Sequence, residues 1–310
     1  MDLQPDVASL SVRRSRLSAI VKVMRPHQWS KNALVVLPLL LAAGLPSIRN
    51  LASGALAALA FSLCASAGYV FNDLVDMEAD RAHRTKRTRP FASGELPTLY
   101  GPPLIAALVA ASFGLALAAL PLNFVWMLAI YLVVTLVYSS ALKGKLMVDV
   151  VVLAWLYTHR VLAGGIATGI PISAWLLAFS MFMFSSLAFA KRYVELRQSI
   201  GTGQIKSRGY RTGDLEMVAS MGPTAGYMAV LVFCLYVDSD VVAQLYSAPI
   251  LLWFMAPVLL YWISRVWFLA HRGEMQDDPV KFALSDSRSW VCMAFISIVA
   301  VAARFWPAVR

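Results

Sequence analysis

The sequence predicts an all-α integral membrane protein of nine transmembrane helices, and three observations carry that reading. Of the 310 residues 59% are hydrophobic and only 14% charged, and the mean hydropathy is +0.67, far above the range of water-soluble domains. Apolar runs able to cross roughly 30 Å of hydrocarbon recur between short polar connectors, so the backbone must satisfy its own hydrogen bonds inside helices. Finally, 23 of the 27 Lys and Arg residues gather on every second connector.

Residues 1–32 form a basic N-terminal segment in which Leu17, Ile20, Val21 and Met24 share a helical face opposite Arg16 and Lys22, the pattern of an amphipathic helix lying on a membrane surface. It has no apolar core ending in a small-residue cleavage site, so no secretory leader is expected. Residues 33–310 form one membrane domain, with spans expected at 33–47, 51–71, 102–120, 122–141, 147–168, 172–190, 217–237, 243–269 and 289–306. The first is short and holds Pro38. Six Lys and Arg lie in the N-terminal segment, five in the 72–101 connector, two at 142–146, six at 191–216 and four at 265–288, against Arg49 alone on the alternate connectors. The positive-inside rule then makes the basic side cytoplasmic in a bacterial-type inner membrane, with the N-terminus inside and the C-terminus outside. The net charge of +10 thus follows from topology and needs no nucleic-acid partner, although a basic face also attracts anionic lipid and phosphate-bearing substrates. Cys64, Cys234 and Cys292 stand far apart in apolar segments and read as small buried hydrophobes.

The chemistry is expected at the cytoplasmic edge, in "YVFNDLVDMEADRAHRTKRTRPFASGEL" (69–96), where Asp73, Asp76, Glu78 and Asp80 run into Arg81, Arg84, Lys86, Arg87 and Arg89. Asn72, Asp76 and Asp80 are spaced i, i+4, i+8 and lie along one face of a helix leaving the second span. A row of like charges repels itself. Either the following arginines neutralise it, or it holds a divalent cation, usually Mg²⁺, that bridges to the phosphates of a substrate.

"NDLVDMEADR" resembles the first aspartate-rich motif of the UbiA superfamily of intramembrane prenyltransferases, and the resemblance covers nearly the whole chain. It implies a UbiA-like bundle of nine helices, cytoplasmic catalytic loops and Mg²⁺-dependent cleavage of a diphosphate, with Mn²⁺ as a substitute. The second connector, "FAKRYVELRQSIGTGQIKSRGYRTGDLEM" (189–217), departs from the aromatic prenyltransferases of that family, which carry a further D-x-x-x-D pair there. Here Lys191 and Arg192 occupy the entry, Glu195 is the only early acid, and Lys206, Arg208 and Arg211 follow. "GEL" (94–96) and "GDL" (213–215) close the two connectors and hint at an internal repeat. With "RPHQWSKN" (25–32) and "YSSALKGKLMVDVVVLA" (138–154), this resembles the branch whose members join phosphoribosyl pyrophosphate to a polyprenyl phosphate of decaprenyl type, a product that feeds arabinose-containing glycans.

The resemblance implies roles. Asp76 and Asp80, helped by Asn72 and Asp73, would hold Mg²⁺ on the diphosphate leaving group. Lys143, Lys191 and Arg192 would neutralise phosphates, and Glu195 would orient them or touch the ribose. Arg25 and Lys31, beside Trp29, either anchor the interface or grip the lipid phosphate, and Arg81 and Lys86 extend the basic edge that meets substrate. Asp149 faces Lys143 or Lys145 as structure or as site. Arg160, beside His159 deep in the fifth span, calls for a buried partner. Asp278, Lys281, Asp286 and Arg288 outline either a lid edge or a solvated loop. Two other functions compete: isoprenyl transfer from a diphosphate to an aromatic or other acceptor, and transport using intramembrane charge. Transporters place ionisable groups near the midplane, whereas nearly all charge here lies at one edge.

Overall fold

A computed structural model describes residues 7–41, 46–82, 86–200, 209–275 and 279–306. The described residues are helical with no strand, and eight helices are long and apolar enough to cross a membrane. The chain divides into two compact units, one of Met1–Ala42, Pro46–Leu142 and Ala163–Ile170, the other of Ala43–Leu45, Lys143–Leu162 and Pro171–Arg310.

In the first unit α1 (Val7–Met24), a 3₁₀ helix (Pro26–Val35) and α2 (Leu37–Leu41) lead into α3 (Ile48–Val75). Then come α4 (Met77–Arg81), α5 (Pro90–Ser93), α6 (Gly101–Ala119) and α7 (Leu122–Val137), which ends in a π turn over Tyr138–Leu142. The last turns of α8 (Val148–Thr168) complete the unit. The Ser47 hydroxyl caps the start of α3 by accepting from the Asn50 N–H at 3.2 Å. α3 is the axis of this unit because its buried Gly54, Ala57, Ala60, Ala67 and Gly68 let neighbours come close, the association mode open to helices in lipid. Phe61 meets Phe124 edge-on at 5.7 Å and Tyr131 at 5.0 Å between ring centres.

The expected first span is not a regular helix. With Pro26 and Pro38 removing backbone donors, the chain takes a 3₁₀ path that rises about 2.0 Å per residue. Ten residues therefore advance about 20 Å, as far as thirteen or so α-helical ones. The segment runs antiparallel to α3: Trp29 Nε1 donates to Ser66 Oγ at 3.0 Å, Asn32 Nδ2 to Ser62 Oγ at 3.0 Å, and Leu39 packs on Gly54. Trp29 is therefore tied to α3 and is no loose interfacial anchor. α1 also differs from expectation. Ala19 and Val23 enter a core with Val70, Phe91, Leu96 and Leu108, joined by Ile20 and Met24, while Leu17 and Val21 face outward at 62% and 54% exposure.

The second unit holds the start of α8, then α9 (Ala174–Gln198), α10 (Leu215–Val237), α11 (Asp240–Leu245), α12 (Met255–Arg272), α13 (Pro279–Ser285) and α14 (Ser287–Phe305). Gly222 and Gly226 make the close packing of α10 on α9 and α12 possible: a Cβ at Gly222 would lie 1.9 Å from Trp267, and one at Gly226 2.6 Å from Ile263. Trp267 Nε1 donates to Ser186 Oγ at 3.0 Å, satisfying both buried groups. Asp286 caps α14 and takes both guanidinium nitrogens of Arg265 at 2.7 and 2.9 Å. α9 continues eight residues past its expected end, carrying Lys191 to Gln198 out on a rigid helix.

Candidate active site

The acidic row is where its spacing placed it. Asp76 sits between α3 and α4, yet its N–H reaches the Asn72 carbonyl at 2.9 Å and the Asp80 N–H reaches the Asp76 carbonyl at 2.8 Å, so the helical register is kept and Asn72, Asp76 and Asp80 share a face. Asp73, one residue round the helix, is buried beneath them. Arg25 Nη2 donates to Asp73 Oδ1 at 2.5 Å, Arg89 Nη1 to the same oxygen at 3.1 Å, and Arg89 Nη1 also to Asp80 Oδ2 at 2.6 Å. Arginines thus pair with Asp73 and Asp80, and Asn72 and Asp76 are half-exposed. Arg25 is held in the left-handed region, φ 53°, at the corner between α1 and the 3₁₀ helix, and its guanidinium lies over Tyr69 at 5.4 Å. Such strain, of order 1–3 kcal/mol, persists only where surrounding contacts impose it.

These residues suit Mg²⁺ in donor chemistry, all being hard oxygen ligands, and the buried Asp73 Oδ2 accepts no hydrogen bond. Among the described residues no three His, Cys, Asp or Glu side chains converge as a ready-made cage. Arg81 Nε donates to the Ala92 carbonyl at 3.2 Å and braces the connector, and Lys86 is exposed beside it. Lys22 pairs with Glu95 at 3.1 Å. Arg84 lies outside the described residues.

A second cluster is built in the second unit. Arg192 has no solvent exposure; its Nε meets Asp149 Oδ2 at 2.5 Å and its Nη1 pairs with Glu195. Tyr210 donates its hydroxyl to Asp149 Oδ1 at 2.9 Å and accepts from the Met147 N–H at 3.3 Å. Burial and the adjacent Asp149 carboxylate push the Tyr210 hydroxyl well above its ordinary pKa, so it stays a donor. Met147 has φ 66°, and Gly209 leaves no room for a side chain, a Cβ there falling 2.7 Å from the Leu146 nitrogen. Asp149, the second residue of α8, thus pairs with Arg192 of α9, a partner the expected lysine contacts did not include. Lys143 and Lys191 are half-exposed. Tyr210 escaped the sequence reading, although a lone aromatic inside a basic Gly-rich loop is a signal that something anchors it.

Arg160 finds part of its partnership within α8, donating to the Leu156 carbonyl at 2.7 Å and lying over the Tyr157 ring at 5.3 Å; His159 stacks on Trp155. Lys31 is half-exposed on the 3₁₀ helix. The two Gly-acid-Leu trios do unlike work: Gly94 has φ 79° and Glu95 reaches Lys22, whereas Asp214 accepts from the backbone N–H of Arg211 at 2.8 Å. Lys206, Arg208 and Asp278 lie outside the described residues, as does the side chain of Lys281. Asp286 serves as a helix cap, which its hydrogen bonds account for in full.

Helices, acidic row and basic second connector together define an intramembrane enzyme family, and residues 33–303 match the UbiA prenyltransferase family. The chain belongs to that family. It is 37% identical to the uncharacterized protein y4nM of Sinorhizobium fredii over 94% of its own length, spanning 57% of that protein. It is 39% identical to nodulation protein NoeC of Azorhizobium caulinodans, covering 88% of this chain and 89% of NoeC. It is 32% identical to a decaprenyl-phosphate phosphoribosyltransferase of Mycobacterium tuberculosis, covering 93% and 95% of the two chains. In fold it matches a UbiA homolog from Archaeoglobus fulgidus bound to GPP and Mg²⁺, with TM-score 0.69 at 14% identity over 92% of this chain and 99% of that one.

Proposed function

We propose that this protein is a Mg²⁺-dependent polyprenyl-phosphate phosphoribosyltransferase, which moves the 5-phosphoribosyl group of phosphoribosyl pyrophosphate to a polyprenyl phosphate and releases pyrophosphate. The observation that carries the reading is an asymmetry: one connector offers oxygen ligands at Asn72, Asp76 and Asp80, while the other offers cations and no second D-x-x-x-D pair. The likeness to the mycobacterial enzyme runs through both. Three anionic groups must be gathered, a diphosphate, a ribose 5-phosphate and a lipid phosphate, and one acidic motif with surplus cations suits that load. The acidic edge then faces the cytoplasm, where phosphoribosyl pyrophosphate is found, in a bacterial inner membrane.

Asp76 and Asp80, with Asn72 and Asp73, would hold Mg²⁺ or Mn²⁺, which supplies positive charge to the departing diphosphate. Arg89 sets the spacing of Asp73 and Asp80. Lys143 and Lys191 in the second unit, and Lys31 and Lys86 in the first, are the cations that would neutralise the 5-phosphate and the lipid phosphate. Arg192 fixes the direction of Glu195 towards ribose or cation. A lipid phosphate oxygen, already anionic at neutral pH, forms the new bond to ribose C1 as the C1–O bond to diphosphate breaks, with inversion; no proton moves and no general base is required. The lipid-linked sugar would serve as a donor in glycoconjugate synthesis.

A second reading, isoprenyl transfer, is supported by the family name and by the fold neighbour bound to GPP. The two separate in one assay with purified protein in detergent, each donor offered alone. Phosphoribosyl transfer to decaprenyl phosphate that stops with EDTA, and in Asp76→Asn protein of unchanged melting temperature, is the expected result. Prenylation of an aromatic acceptor without phosphoribosyl transfer overturns the proposal.

A further inference from the structure

Far from the acidic row, at the opposite end of α3, the first unit carries an open cavity of about 540 Å³. The 24 residues from Arg49 to Asp73 put about 36 Å of helix between the two ends. Its wall is the first turn of α3 (Arg49, Asn50, Ser53), the α6–α7 corner (118–121) and the end of α8 (166–169). Asn50 fixes the wall by donating to the Thr168 carbonyl at 2.8 Å. Arg49 is exposed, is the one cation of its connector, and has no partner among the described residues.

The two sides of the cavity differ in sign. α3 and α7 begin there, presenting positive helix ends next to the Arg49 guanidinium. α6 and α8 end there, presenting carbonyls. Pro121 and Pro171 lack the N–H that would close on the Leu117 and Ala167 carbonyls, and no backbone donor outside their helices reaches Ala118 or Ala119 among the described residues. Around the mouth, Ile48, Leu117 and Leu122 are 84%, 63% and 64% exposed, an apolar rim such as acyl chains cover in a bilayer.

We propose that this cavity binds the headgroup of a phospholipid carrying both a phosphate and a primary ammonium, of the phosphoethanolamine class, from the leaflet opposite the basic connectors. The phosphate meets Arg49 and the Ser53 hydroxyl, the ammonium donates to the free carbonyls of α6 and α8, and the acyl chains lie on the rim. A bare phosphate would use only the cationic side. A choline headgroup has no N–H to give the carbonyls, and a glycerol headgroup brings no positive charge to them.

The test uses the full chain, stripped of lipid in detergent, with native mass spectrometry and thermal shift against phosphatidylethanolamine, phosphatidylcholine and phosphatidylglycerol of equal acyl chains, and against inorganic phosphate. The expected result is preference for phosphatidylethanolamine and a loss on the order of tenfold to a hundredfold in its affinity in Arg49→Ala. Arg49→Lys, which keeps the charge, retains binding. Equal affinity for the three lipids, saturation by inorganic phosphate at the same concentration as lipid, or unchanged binding in Arg49→Ala overturns the proposal, and the lipid ranking of the unmodified chain decides it even if a variant fails to fold.

Discussion

Lys191 and Arg192 are neighbours on α9 with opposite surroundings. Arg192 is fully buried and paired with Asp149 and Glu195. Arg192→Leu leaves Asp149 charged, buried and without its counterion, and removing one member of such a pair costs about 3–5 kcal/mol. The expected outcome is a much lower melting temperature in detergent. Lys191→Ala removes a half-exposed cation; it is expected to leave the melting temperature in place and to raise the KM for phosphoribosyl pyrophosphate or polyprenyl phosphate, which kinetics with each substrate varied in turn will read. A KM effect for Arg192→Leu at unchanged stability would reverse these assignments. The same contrast shows what was legible at this scale. Spacing alone gave the shared face of Asn72, Asp76 and Asp80, because i, i+4 geometry is local. It could not give the Asp149–Arg192 or Arg25–Asp73 pairs, which span 43 and 48 residues and depend on packing.

Asp286 supplies a pH-dependent residue outside the proposed chemistry. The Arg265 hydrogen bonds foremost, then those from Ser289, hold its carboxyl below the usual carboxylate range. A depressed folded pKa contributes stability above the unfolded value, about 3.9, and loses it as pH falls through the lower folded value. Stability should therefore fall below about pH 4, and less steeply in Asp286→Asn, which still caps α14 but cannot titrate. Thermal melts of the two proteins from pH 6 to pH 3 check this; parallel curves would remove Asp286 as a contributor.

Among elements, the irregular first span and α8 meet at Gly164, where a Cβ would fall 2.0 Å from the Val35 carbonyl oxygen. A backbone carbonyl cannot swing aside as a flexible side chain does, so Gly164→Ala should cost about 1–3 kcal/mol through displaced backbone. Gly114, in mid-α6 with nothing within 4 Å of its Cβ position, is the control; Gly114→Ala should be neutral or stabilising by up to about 1 kcal/mol. Melting temperatures decide between them. Hydropathy placed the other eight spans to within a few residues at most ends, since apolar length is what it measures. It failed where helix and apolar run part company. α3 and α9 carry helix into polar sequence, through Asn72 and through Lys191, because backbone bonding does not stop where lipid does. Residues 42–45 of the first run lie outside the described residues, and the 243–248 start of the eighth run passes from the end of the short α11 into a 3₁₀ turn at Pro249–Phe254 before α12.

For the whole molecule the question is how many times the chain crosses, since eight long apolar helices are present among the described residues and nine crossings are expected. Contacts inside the first unit answer it. Arg16 reaches Tyr100, Lys22 reaches Glu95 and Arg25 reaches Asp73, so α1 lies at the end where α3 finishes and α6 begins. Leu39 lies against Gly54 and Asn50 against the end of α8, so the 3₁₀ segment and α2 have travelled to the other end before α3 starts back. Among the described residues, eight long helices and one irregular passage would make nine crossings. Nine crossings would set five of them, α6 through α10, between Arg87 and Asp240 in the chain, and the prediction is that these two residues are reached from opposite sides. In a chain whose three cysteines are replaced, Ser18→Cys and Arg87→Cys should react with a membrane-impermeant maleimide only from the cytoplasmic face of inverted vesicles, and Asp240→Cys only from the outer face of intact cells. The positive-inside charge bias sets which side is which. If Ser18→Cys and Arg87→Cys reacted from opposite sides, the 3₁₀ segment would not cross. If Arg87→Cys reacted from outside, the acidic row would face away from the phosphoribosyl pyrophosphate pool and the proposed reaction would fail with it.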